Sequence, residues 1–214
     1  HKNIKKMAIN LSKGQKIDLR KETGEKLTNF CVGVNWGAIE TIKKGLFGSK
    51  KIIEDVDLDL SCIMTDNAGN LIDYIYSPDY NGFLQRNNLP LGKLTSVDGS
   101  LRHSGDDRKG DQGGDDGLDN EIITVDLNKV NSTIEKIFFF INIYLNQGQS
   151  FDFTNIPYAK IRMYEGTSTK VIKVFSNYDI TTDSTFANKR ALVLGKLYKR
   201  NGEWKFDACL LYTS

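Results

Sequence analysis

The run Ile137-Phe-Phe-Phe-Ile-Asn-Ile-Tyr-Leu145 constrains this chain more than any other segment. Aromatic and β-branched residues fill it and Asn142 alone is polar, a composition suited to a pleated strand. Successive strand side chains point to opposite faces, so Phe138, Phe139 and Phe140 cannot share one side. Both faces need cover, which predicts a central strand with a second layer packed on it. Eight more β-type runs are read at residues 27–36, 57–64, 71–76, 121–127, 158–164, 170–175, 190–198 and 203–208. The alternation in Lys160-Ile-Arg-Met-Tyr164 gives that strand one wet face.

Turn residues punctuate these runs at 67–70, 77–79, 98–99 and 201–202. Asn201-Gly202, between Leu197-Tyr-Lys-Arg and Glu203-Trp-Lys-Phe, predicts a two-residue hairpin. No segment holds a sustained helical period; residues 126–136 and 183–189 have room for single turns. Many short strands in one domain-sized chain predict an all-β fold, a β-sandwich of two mainly antiparallel sheets. Two stretches, 37–55 and 77–120, read as long connections, where function tends to reside.

Net charge is only +2, so the whole chain has no bias toward nucleic acid or an anionic surface. The charges are segregated, however. Between Asp106 and Glu121 stand seven acids (Asp106, Asp107, Asp111, Asp115, Asp116, Asp119 and Glu121) against Arg108 and Lys109. Gly105, Gly110, Gly113, Gly114 and Gly117 are interleaved with them. Carboxylates this close repel, so a fold must splay them into solvent or place a cation among them. Glycines let carbonyls and short Asp side chains wrap a centre, which suits the six to eight oxygens that calcium takes. With His103 the only nearby histidine, the donor set favours a hard cation over zinc or copper. Asp57-Leu-Asp-Leu60 is a second piece: on a strand, Asp57 and Asp59 share a face and Leu58 and Leu60 take the other. No EF-hand spacing fits, and the solvated-loop reading stays open on composition alone.

The odd set of Cys31, Cys62 and Cys209 has no CxxC pair, which argues against a disulfide framework and for a reducing, cytoplasmic compartment. No run is long and apolar enough for a membrane helix. Met7 is read as the natural start, making residues 1–6 upstream read-through or a tag. The last six residues, 209–214, match one reading frame of a common transposon-derived sequencing adapter, so a single domain is expected over 7–208.

Seven segments in order together resemble the TerD family of tellurium-resistance and stress-response proteins. They are Ala8–Lys16, Gly33-Val-Asn-Trp-Gly37, Val56-Asp-Leu-Asp-Leu-Ser61, His103-Ser-Gly-Asp-Asp107, Gly114-Asp-Asp-Gly-Leu-Asp-Asn-Glu121, Val125-Asp-Leu127 and Gly195–Phe206. The resemblance implies a β-sandwich binding one or two calcium ions at acidic loops, without catalysis. It carries the metal role onto Asp57 and Asp59 and onto the 106–121 loop, and it places Asn35 and Trp36 near the metal end. The commoner family loop is more compact; here Gly117-Leu-Asp119 is inserted, and residues 76–101 are longer than in the simplest members. Implied partners are other stress-response proteins, with the inner face of the membrane as a working location and no nucleic acid. The alternative is a calcium-assisted module for a small, cyclic-nucleotide-like ligand.

Enzyme readings are poor. His103 beside Ser104 makes no triad, and contact with the loop backbone is the expected role of His103. No phosphate loop or dinucleotide fingerprint is present. Trp36 and Trp204 read as packing residues. The stretch Lys43-Lys-Gly-Leu-Phe-Gly-Ser-Lys-Lys51 reads as a solvated loop beside the acids of 54–59, with contact to anionic lipid or nucleic acid as the sharper alternative.

Overall fold

The computed structural model describes residues 9–10, 12–21, 23–46, 48–180, 184–209 and 211–212. Expectations placed on residues 1–6, Met7, Phe47, Asp183 and residues 210, 213 and 214 lie outside these. In chain order the strands are β1 (Ile9–Asn10), β2 (Lys16–Asp18), β3 (Asn29–Trp36), β4 (Ile39–Gly45), β5 (Gly48–Glu54), β6 (Asp57–Thr65), β7 (Leu71–Ile75) and β8 (Leu101–His103). They continue as β9 (Glu121–Asp126), β10 (Lys136–Tyr144), β11 (Ala159–Thr167), β12 (Lys170–Asp179), β13 (Ala191–Arg200), β14 (Glu203–Asp207) and β15 (Leu211–Tyr212).

Two sheets form the sandwich that the sequence predicts. One runs β1-β12-β11-β3-β9-β8; the other runs β2-β14-β13-β10-β6-β7, with β15 also pairing β13. Every named pairing is antiparallel except β1 with β12. β10 lies between β13 and β6, a central position as expected. Its Ile137, Phe139, Ile141 and Ile143 are buried in the core. Phe138, Phe140 and Asn142, on the other face, are only half-buried, because that face is the outside of the sandwich. In the facing sheet, β3 gives the core Phe30, Val32, Val34 and Trp36. Its opposite face is covered too: Cys31 packs with Ile122 and Tyr164. The β13–β14 turn is the predicted hairpin, with Asn201 at φ 52° and Gly202 at φ 73°, the paired positive dihedrals that a tight twisted hairpin needs.

Two connections hold structure that sequence reading missed. Residues 37–55 are mostly the β4–β5 hairpin, a separate two-stranded sheet. Its alternation of Ile with Thr, Lys and Glu gives no apolar face, so nothing in the pattern announced a strand. Ser77-Pro-Asp79 opens a 3-10 turn, Pro78–Tyr80, that leads into helix α1, Asn81–Arg86. Ser77 caps it by accepting from the Asp79 amide, so Ser77-Pro78 is a helix start where the sequence predicts a plain turn. Residues 126–136 form turns and no helix, and Ser184–Phe186 is a 3-10 turn.

Candidate metal centre

The site begins with an unpaired strand edge. β7 pairs only with Cys62–Thr65 of β6, leaving the Asp57–Ser61 half without a neighbour on that side. As the alternation requires, Leu58 and Leu60 enter the core, while Asp57 and Asp59 share the opposite face. Both acids are nevertheless buried, at 7% and 3% exposure, because the acidic loop and the 77–80 turn close over them. Glu121, on β9 of the facing sheet, reaches this edge. Its Oε2 accepts from the Leu60 amide at 2.7 Å and its Oε1 from the Asp107 amide at 3.1 Å. One carboxylate thus ties both sheets to the loop.

The loop is pinned, not splayed. Trp36, fully buried, donates from Nε1 to the Val56 carbonyl at 2.7 Å. Gly110 sits on its ring; a Cβ there would lie 2.5 Å from Trp36, and the backbone is at φ +68°. The Asp111 amide donates to the Trp36 carbonyl and the Ala38 amide to the Asp111 carbonyl, each at 2.9 Å. Asn35 Nδ2 donates to Asp111 Oδ2 at 3.0 Å and also to the Leu118 carbonyl. Asn120 Oδ1 accepts from the Trp36 amide at 2.9 Å. Asn35 and Trp36 therefore do stand at the acidic end.

Two carboxylate groups emerge, each with oxygens within 4.8 Å of one another: Asp57, Asp59 and Asp106, and Asp111, Asp115 and Asp116. They differ in how well the protein satisfies them. In the second, Asp111 accepts from Asn35, from Asn120 at 3.1 Å and from Tyr158 at 2.8 Å, and Asp115 accepts from Lys160 at 2.7 Å. Lys160 holds Asp115 below the usual carboxylate range. In the first group, Asp57 Oδ1 and Asp106 Oδ1 are buried without a partner. Asp59 accepts from the Tyr80 hydroxyl and from Asn142 Nδ2, and Arg108 Nε reaches Asp106 Oδ2 at 3.1 Å.

Burial, then the neighbouring Asp59, Asp106 and Glu121, push Asp57 up to about 8. Burial chiefly raises Glu121 to about 9, against the Leu60 and Asp107 amides. Asp59 and Asp106 rise for the same first cause. His103 is pushed down by burial; its Nδ1 accepts from the Gly105 amide at 3.0 Å, the backbone contact expected of it. A buried carboxylate with an unpartnered oxygen either keeps a proton or meets a cation. The all-oxygen donor set fits a hard divalent ion.

Three of the sequence-predicted acids do other work. Asp107 Oδ1 accepts from the Lys109 and Gly110 amides and its Oδ2 from Asn120, which shapes the turn. Asp119 is clasped by Arg162 Nε at 2.8 and 3.0 Å and lies on Gly33, where a Cβ would be 2.1 Å from Asp119 Oδ2. Glu121 spends its oxygens on backbone amides. Sequence reading missed Tyr80 and Asn142. The helix-start signal at Ser77-Pro78 could have marked the first; the lone polar residue of the β10 run, in register with Asp59, could have marked the second. Of the lysines in 43–51, Lys51 pairs with Glu40 at 2.7 Å.

Fold and site together define a β-sandwich protein with a buried cluster of carboxylates at one edge. The chain belongs to the TerD family, whose TerD domain profile matches residues 7–210. It is 37% identical to general stress protein 16U of Bacillus subtilis (strain 168), covering 94% of this chain and 89% of that one. It is 32% identical to the tellurium resistance protein TerD of Serratia marcescens, with the same coverage. Its fold resembles the crystal structure of a TerD homologue from Streptomyces coelicolor A3(2), with a TM-score of 0.57 at 14% identity, covering 87% and 90% of the two chains. Among the described residues no helix is long and apolar enough to cross a membrane.

Proposed function

We propose that this chain is a non-catalytic, calcium-binding stress-response protein. The observation that carries this is the pair of buried, unpartnered oxygens on Asp57 and Asp106, facing Asp59 across a pocket of carboxylates. Calcium there would replace retained protons and offset repulsion. It would also tie the 105–121 loop to β6, and the ordered loop would present a surface to a partner protein. The stress role rests on the relatives, which are named as tellurium-resistance and stress proteins. The second group, Asp111, Asp115 and Asp116, is more exposed and already supplied with donors, so it would hold an ion more weakly.

Isothermal calorimetry with a parallel melting curve tests the reading. An ion that binds only the folded state must raise stability with its concentration. Heat of binding and a rising melting temperature with calcium are expected, both reduced by Asp57→Asn with Asp59→Asn. No heat and no melting shift at millimolar calcium would overturn the proposal.

A further inference from the structure

Beyond Ile39, which packs against the core, the β4–β5 hairpin stands clear of the sandwich. Its strands pair only with each other, and both are exposed over most of their length. Its root is held firmly: Glu40 Oε1 accepts from the Gly113 amide and Asp55 Oδ1 from Gln112 Nε2, each at 2.9 Å. Beyond Glu40, the remaining residues of β4 (Ile39–Gly45) and their partners in β5 carry the tip roughly 15 Å outward. A ribbon with no sheet or helix beneath it is marginal in water.

What the ribbon displays is specific in kind. Lys43, Lys44, Lys50 and Lys51 lie between Ile42 and Ile52, with no acid among them. Lys51 pairs with Glu40 near the root; Lys43, Lys44 and Lys50 make no ion pair among the described residues. Three aliphatic side chains stand in solvent beside them: Leu46 at the turn is 97% exposed, Ile42 70% and Ile53 42%. Lysines project cationic heads from apolar stems, so they suit a surface with an anionic layer over an apolar one. A duplex or single-stranded nucleic acid would reward the lysines but offers nothing to an aliphatic tip.

We propose that the β4–β5 hairpin is a membrane-docking arm, its lysines meeting the headgroups of an anionic bilayer while Leu46 enters the interface. The mode is that of an interfacial element, combining apolar burial with electrostatic attraction, and its binding is reversible. The docking groups, Lys43, Lys44, Lys50 and Leu46, include none of the acids of the 105–121 loop, so the docking needs no calcium bridge.

Vesicle flotation tests this. Full-length protein is mixed, in EDTA, with phosphatidylcholine vesicles with or without about 30% phosphatidylglycerol, a content that sets a negative surface potential. EDTA prevents an ion from bridging the acidic loop to headgroups, so failure here and failure of the calcium reading stay distinguishable. Flotation with the anionic vesicles alone is expected, falling as salt is raised. Lys43→Glu/Lys44→Glu/Lys50→Glu should cut partitioning by at least about tenfold. Leu46→Asp should also weaken it severalfold, with melting temperatures unchanged because these positions are exposed. Should a variant fail to fold, the salt series on the unmodified chain still decides. Absence of flotation, flotation indifferent to charge, or a Leu46→Asp variant that floats normally would each overturn the proposal. So would binding of a duplex oligonucleotide without flotation, which would assign the arm to nucleic acid.

Discussion

Asp57→Asn separates the two things the carboxylate pocket does, because it should raise cation-free stability while reducing what calcium adds. Asp57 is 7% exposed and its Oδ1 has no donor. Its carboxyl moves from 3.8 to about 8 on folding, with burial the largest cause. At pH 7 the unfolded chain has lost this proton and the cation-free fold still holds it. That difference of roughly three pH units costs the fold about 4 kcal/mol. Local relaxation and water entry reduce the figure, so the amide should stabilise the cation-free protein by about 2 kcal/mol. Calcium at about a hundred times its dissociation constant should stabilise the unmodified chain by about 2.7 kcal/mol. The variant, short of an anionic ligand, should gain well under half of that. Urea melts at pH 7, in EDTA and then in saturating calcium, read both numbers from the midpoint shifts at constant slope. The variant should be the more stable protein in EDTA and gain the less from calcium. If Asp57→Asn instead lowers stability in EDTA by about 1 kcal/mol or more, Asp57 is ionised and satisfied in the empty fold. The argument from its unpartnered oxygen would then be wrong.

Other outcomes follow from the same geometry. Between the ordinary carboxylate range and about 8, Asp57 and Glu121 keep protons in the fold that the unfolded chain releases. Cation-free stability should therefore fall as pH rises through that window and calcium should flatten the slope, as melts at several pH values would show. Trp36→Phe removes the donor to the Val56 carbonyl and should cost about 1–3 kcal/mol in a urea melt while weakening calcium binding by calorimetry. Gly110→Ala places a methyl in the Trp36 ring at a positive φ, so it should cost a similar amount and raise hydrogen exchange across residues 107–118. Arg162→Met strands the buried Asp119 carboxylate and should cost about 3 kcal/mol, with Asp119→Asn restoring most of it in a double-mutant cycle. Asp119→Asn alone should leave the calcium stoichiometry unchanged.

Much of this architecture was readable because burial follows strand periodicity. The apolar run of β10 and the alternation of β6 put Leu58 and Leu60 inside and Asp57 and Asp59 together on the other face. The Asn201-Gly202 turn was equally legible, since few residues tolerate its dihedrals. The β4–β5 hairpin was not: its order comes from backbone pairing without an apolar face, and composition carries no trace of that. Within the site, acid density marked the right loop, but sequence could not rank its members. Asp119 and Asp107 read like Asp57 and Asp106 until partners are counted, and those partners (Arg162, Asn120 and two backbone amides) lie as many as 43 positions away. Tyr80 escaped because its role depends on where a short helix sets down, which no local pattern states.

Glu121 gives the molecule a mechanical property. Through Leu60 on one side and its own strand on the other, this carboxylate joins the two plates of the sandwich at a single edge. An ion seated among Asp57, Asp59 and Asp106 would act as a rivet beside that clasp, raising the force needed to part the plates there. The stiffness of that edge would then be set by the ionic composition of its surroundings, while the aliphatic core between the plates stays as it is.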